Sequence, residues 1–164
     1  MSEVADLVDE DDRVIGGAPR GEIRAGNLLH RGVGILVRDP RGRIYVHRRT
    51  DTKDVFPGAY DMFVGGMVGA GEAYEAAAAR EVAEELGVRG GLRFLFKHRY
   101  RGPRNNAWVA MYEVEWDGPI VHQPEEIAWG AWMTPDEILG RLGDWTWVED
   151  GLEIFHEARR RGTL

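Results

Sequence analysis

Glu81, Glu84 and Glu85 stand at i, i+3 and i+4 of an alanine-rich segment, so on a helix their carboxylates leave one patch of its surface. Three like charges in one patch repel and call for a cation. Oxygen ligands suit a hard divalent ion such as Mg²⁺, which retains waters and readily joins protein carboxylates to a phosphate substrate. An isolated trio of glutamates reads more simply as a solvated acidic helix face. Its surroundings therefore decide between the two.

The helix that must carry the trio is predicted over Glu72 to Leu86, with Gly87 as a left-handed cap and Gly65, Gly66, Gly69 and Gly71 forming a loop before it. Val82, Leu86 and Ala79 supply a neighbouring apolar face that can pack on a sheet and hold the patch rigid. Strands are expected at Val33 to Val37 and Ile44 to Arg49, joined by a turn at Asp39 to Gly42. After a break at Phe56 to Gly58 and the glycine loop, where most of the sheet is expected, come strands at Leu92 to Arg99, Ala107 to Trp116 and Ile127 to Met133. Val4 to Val8 and Arg13 to Ile15 suggest an opening hairpin with an acidic turn, within an extension covering residues 1–28. Thr134, Pro135 and Glu137 start a short helix to about Leu142, and Asp150 with Glu153 repeats that capping signature for a last helix. Strands on both sides of the central helix, with more helix at the end, imply an α+β fold, an α/β/α sandwich with a mixed sheet.

With 164 residues, 43% of them hydrophobic, the chain is expected to fold as one domain, 1–164, with a core that needs no crosslinks. It has no cysteine, which excludes disulfides, thiolate zinc ligands and thiol nucleophiles. A net charge of −7 opposes tracking of a nucleic-acid polymer but leaves room for a small anion bridged by metal. The opening residues lack the pattern of a secretory signal and no apolar run has the length of a membrane span, so a soluble, cytoplasmic protein with no membrane partner is expected.

The spacing around the trio is more specific than the trio itself. From Gly66, five residues lead to Glu72 and seven more to Arg80, followed by Glu81, Val82, Ala83, Glu84, Glu85, Leu86, Gly87 and Val88. This resembles the complete Nudix box, on the loop and helix the motif requires. The resemblance implies a Nudix fold whose box binds divalent metal, Mg²⁺ or Mn²⁺, and hydrolyses a nucleoside diphosphate derivative or related small diphosphate by attack of metal-activated water. By position, Glu81, Glu84 and Glu85 resemble the metal ligands, with the Gly65 carbonyl a further one. Arg80 and Glu72 resemble the residues that orient those carboxylates. The general base would be Glu84, Glu85, Glu125 or Glu126, in that order. A homodimer is the common assembly of such proteins.

A narrower similarity joins Leu28 to Arg31, His47 to Lys53 and Phe56 to Gly58 to the isopentenyl diphosphate isomerase branch. It implies that Arg49 and Lys53 hold the substrate diphosphate, as a planar fork and a point charge, and sets His30 at a metal-binding position. The isomerase's own chemistry needs a cysteine, where this chain has Gly65. Met67 stands for a metal histidine, and Asn105 and Ala107 for two loop glutamates, while Glu81 and Glu84 restore carboxylates the isomerase box has lost. Both departures point to hydrolysis. A third class, a binding or regulatory protein of the same fold, is opposed by the intact acidic trio. Pro103 resembles a marker of ADP-ribose hydrolases but reads more simply as a turn residue, and Trp108, Tyr112, Trp129, Trp132, Trp145 and Trp147 read as core rather than as base-stacking groups.

Overall fold

The computed structural model describes residues 3–164. Thirteen elements follow one another: β1 Val4–Val8, β2 Val14–Pro19, α1 Arg20–Gly26, β3 His30–Arg38, β4 Ile44–Arg49, β5 Tyr60–Asp61, β6 Val64–Met67, α2 Tyr74–Leu86, β7 Arg93–Arg101, β8 Asn106–Glu115, β9 Ile127–Met133, α3 Pro135–Arg141 and α4 Glu149–Arg160. The sheet is mixed and organised by β3, which runs antiparallel to β6 from Gly32↔Met67 to Ile35↔Val64 and parallel to β8 along its length. β7 extends it beyond β8, while β4 meets β3 only at Arg38↔Ile44 and carries β9 and β5 as its own antiparallel partners. Alternation along β3 divides the core between the two faces. Val33, Ile35 and Val37 meet Ala77, Ala78, Val82 and Leu86 of α2; Leu36 lies on the other face, with Ile138 of α3 and Ile154 and Phe155 of α4. This is the expected α/β/α sandwich.

Several local expectations need correction. β1 to β6 all precede α2, so most of the sheet lies before the box helix rather than after it. The glycine loop is partly strand: Gly65 and Gly66 sit in β6, paired with Gly34 and Val33. α2 starts at Tyr74 behind Ala73, leaving Glu72 in the preceding turn. Ala79 is exposed while Ala77 and Ala78 are buried, because the buried arc of α2 is rotated towards Glu81 and Glu85. Asp150 is no cap, since α4 begins at Glu149 with Val148 as its N-cap residue. By contrast, Thr134 and Glu137 form the reciprocal capping box of α3, and Gly87, at φ 68°, closes α2 as expected. The short helix α1 was not foreseen. Pro19 leads into it and Asn27 ends it in the left-handed conformation.

Candidate active site

Packing of Val82 and Leu86 against β3 fixes the rotation of α2, and with it the three glutamates. Glu85 is 6% exposed, and its Oε2 is buried without a hydrogen-bond partner. Glu81 is largely buried and Glu84 half exposed. Burial raises the proton affinity of Glu81, opposed by Arg80. It raises that of Glu85 further, with the neighbouring charges of Glu81 and Glu126 adding to the effect.

Arg80 organises the acidic patch. Its Nε donates to Glu72 Oε2 and its Nη2 to Glu72 Oε1, both at 2.9 Å, a two-pronged pairing that only a guanidinium can make. Its Nη1 donates to Glu81 Oε1 at 2.8 Å and lies 3.6 Å from Glu84 Oε2. Glu72 Oε1 in turn accepts the Gly69 N–H at 3.0 Å. On the strand side, Glu81 lies directly against Gly66, where a Cβ would fall 2.2 Å from Glu81 Cδ.

Gly66, Arg80, Glu81, Glu84 and Glu85 line part of a cleft of about 560 Å³. Its other walls carry Arg20 and Arg24 from α1, Arg49 from the end of β4, and Lys53 from the following loop. Lys53 Nζ is paired with Glu126, and Arg49 Nε donates to the Val55 carbonyl at 3.1 Å. The loop holding Glu125 and Glu126 is docked on the end of α2 through Gln123 N–H to the Glu85 carbonyl at 3.0 Å and Val121 N–H to that of Leu86 at 2.9 Å. Deeper in the cleft lie Asn105, Asp61 and Asp150. Asn105 Nδ2 donates to Asp150 Oδ2 at 2.9 Å. His30, also on the cleft, is 3% exposed with Nδ1 at 2.8 Å from the Leu28 carbonyl, and burial drops its pKa to about 4. That is the setting of a structural, neutral histidine.

The structure thus brings Glu72, Arg80, Glu81, Glu84, Glu85, Gly65, Arg49 and Lys53 to one cleft or its immediate support. Arg20, Arg24, Asp61 and Asp150 were not foreseen there. Arg20 and Arg24 belong to a helix too short and glycine-rich to announce itself, and the two aspartates are joined only by the fold. Phe56 is the one Phe, Tyr or Trp residue among those lining the cleft; of the tryptophans, Trp145 stacks on Tyr60 at 4.0 Å and Trp147 is in the core.

Among the described residues no three His, Asp or Glu side chains converge as a closed ion cage. The donor set nevertheless fits a hard divalent ion. All its donors are oxygens, and Glu85 Oε2 is a buried acceptor without a protein partner, suited to a cation.

Two consequences follow for variants. Arg80→Lys keeps the charge but loses the fork to Glu72, so kcat should fall about 10–100-fold with little change in melting temperature, as read by steady-state kinetics and a thermal melt. Gly66→Ala should preserve the fold, because the obstructing group is the movable end of Glu81 rather than backbone. By displacing that carboxylate it should cost a similar factor in turnover; unchanged turnover would mean that the position of Glu81 is immaterial.

Comparison with known proteins agrees with this geometry. The family model described as NUDIX domain matches residues 28–152. An uncharacterised Nudix hydrolase of Streptomyces coelicolor is 52% identical over 160 residues, covering 96% of this chain and 88% of that protein. Another from Rhodococcus erythropolis is 43% identical, covering 93% of this chain and 90% of its own. Among solved structures, DR0079 from Deinococcus radiodurans superposes with a TM-score of 0.81 at 32% identity, covering 96% of this chain and 98% of that one.

Proposed function

The chain belongs to the Nudix hydrolase family, and on that premise we propose that it hydrolyses the diphosphate bond of a nucleoside diphosphate derivative or related small diphosphate, using Mg²⁺ or Mn²⁺. Glu81, Glu84, Glu85 and the Gly65 carbonyl would hold the ion. Bound there, the ion supplies Lewis-acid charge for the phosphate oxygens and lowers the pKa of water.

The chain's own part is positional and electrostatic. Arg49 and Lys53 line the same cleft as the acidic patch and are the groups to hold the diphosphate. Arg80, braced by Glu72, holds Glu81 beside Gly66 of β6. In the reaction a water oxygen bonds to phosphorus, the bridging P–O bond breaks, and a carboxylate takes the water's proton. Glu84 suits that last task, being half exposed in the cleft and held by Arg80 only at 3.6 Å, whereas Glu126 is committed to Lys53.

The observation that carries this reading is the Glu72–Arg80–Glu81 network beside the buried, unpartnered Glu85. It is tested by incubating the protein with Mg²⁺ and a panel of nucleoside diphosphates, nucleotide sugars, ADP-ribose, dinucleoside polyphosphates and prenyl diphosphates, with products identified by mass. Metal-dependent cleavage that disappears in Glu84→Gln is the expected result. Tight binding of a panel member without turnover would instead mark a recognition protein. Conversion of a prenyl diphosphate to its double-bond isomer would revive the isomerase reading despite the absence of cysteine.

A further inference from the structure

Three hydrogen bonds join the N-terminal hairpin, which lies outside the matched residues 28–152, to the loop and first turn of the box. Ala70 N–H donates to the Val4 carbonyl and Gly71 N–H to Asp6 Oδ2, each at 2.9 Å. Tyr74 Oη donates to Asp12 Oδ2, also at 2.9 Å. We infer that this hairpin is a working part of the active site, with Asp6 and Asp12 as positioning residues that fix the loop carrying Glu72 and so set where Arg80 holds the acidic patch.

The loop cannot fix itself. Glu72 and Gly69 satisfy each other, Glu72 N–H with the Gly69 carbonyl and Gly69 N–H with Glu72 Oε1, both at 3.0 Å. That leaves the donors of Ala70 and Gly71 pointing outward, and Gly71, at φ 74°, adds backbone freedom at the point where the chain turns into α2. Asp6 and the Val4 carbonyl take up those two donors. Asp12 is anchored more heavily. It stands at the hairpin turn at φ 60° with its carboxylate 7% exposed, accepting Arg31 Nε at 2.8 Å and Lys97 Nζ at 2.6 Å besides the tyrosine. Arg31 belongs to β3 and Lys97 to β7, so Asp12 ties the start of α2 to two strands of the sheet. Tyr74 is the first residue of α2, two beyond Glu72. A shift of the hairpin therefore reaches Glu72 directly, and Arg80 through it.

This inference rests on the hydrolase reading, and the experiment separates the two. Asp6→Ala, Asp6→Asn and Tyr74→Phe are compared with wild type by kcat and KM on the best substrate of the panel, by melting temperature, and by Mn²⁺ affinity of the substrate-free protein from water proton relaxation. Asp12 itself is left intact, because its loss would strand Arg31 and Lys97. In Asp6→Ala and Tyr74→Phe we expect kcat to fall about 5–10-fold, towards the low end for residues supporting metal ligands, with Mn²⁺ affinity falling alongside and KM within about twofold. Asp6→Asn keeps an acceptor for Gly71 and should restore most of both. Unchanged kcat and Mn²⁺ affinity would overturn the inference, as would losses that track melting temperature and are not rescued by asparagine. If wild type cleaves nothing yet Mn²⁺ affinity still drops in Asp6→Ala, the brace stands and the hydrolase reading falls.

Discussion

Glu85→Gln is expected to be nearly inactive, with kcat lowered about 10²–10⁴-fold, and yet more stable than wild type at neutral pH. The two effects have one origin. Glu85 is buried, its Oε2 has no partner, and Glu81 and Glu126 press further negative charge upon it. In the metal-free protein that carboxylate must either take up a proton or remain a buried charge that Lys53 and Arg49 only partly offset, and both cost folding free energy. Glutamine has the same shape and no charge, so removing the cost should stabilise the metal-free fold by about 1–3 kcal/mol. The same neutrality removes an anionic ligand that the proposed ion requires. Mg²⁺ should therefore raise the melting temperature of wild type and leave that of the variant unmoved. Thermal melts with and without Mg²⁺, beside turnover, check all three expectations. A variant less stable than wild type would show that the Glu85 carboxylate makes interactions in the fold that glutamine cannot replace.

Much of this arrangement is legible in the amino-acid sequence, for identifiable reasons. The Glu81, Glu84, Glu85 trio and its support by Glu72 and Arg80 are separated by helical spacing and a short loop, so local geometry already brings them together. The α/β/α layering follows from strands flanking a central helix, and the capping box at Thr134 from a pattern of four residues. What stayed hidden needed contacts between distant segments. Gly65 and Gly66 read as loop because glycine is a poor strand former, but in β6 the β3 backbone lies close against Gly65 and the movable Glu81 carboxylate occupies the space beside Gly66. Asp150 and Glu153 imitate a helix start, yet the fold begins α4 two residues earlier and turns Asp150 inward to Asn105. Arg24 belongs to a seven-residue helix containing Gly21 and Gly26, too short for an amphipathic period to appear.

Asp61→Asn should give a second gain in stability, one whose dependence on pH identifies its source. Asp61, 8% exposed, has its Oδ1 taken by the Phe63 N–H at 3.2 Å and pressed by the first turn of α4, where a Cβ on Gly151 would fall 2.3 Å away. Burial, with Asp150 adding repulsion, lifts its pKa from the ordinary 3.8 to about 8, and Arg49 only partly opposes this. The folded value is raised, so the stability associated with its proton is fully present below about pH 4 and is lost as pH rises through about 8. Asparagine keeps an acceptor for Phe63 and never ionises. The stability difference between variant and wild type should thus be near zero at pH 4, grow by up to about 1.4 kcal/mol per pH unit, and level off above pH 8. Urea denaturation of both proteins at pH 4, 6 and 8 measures the difference directly. A constant offset across that range would mean that Asp61 is already ionised in the fold, with Arg49 as its effective partner, and that the deep end of the cleft presents fixed negative charge rather than a carboxyl able to donate a hydrogen bond.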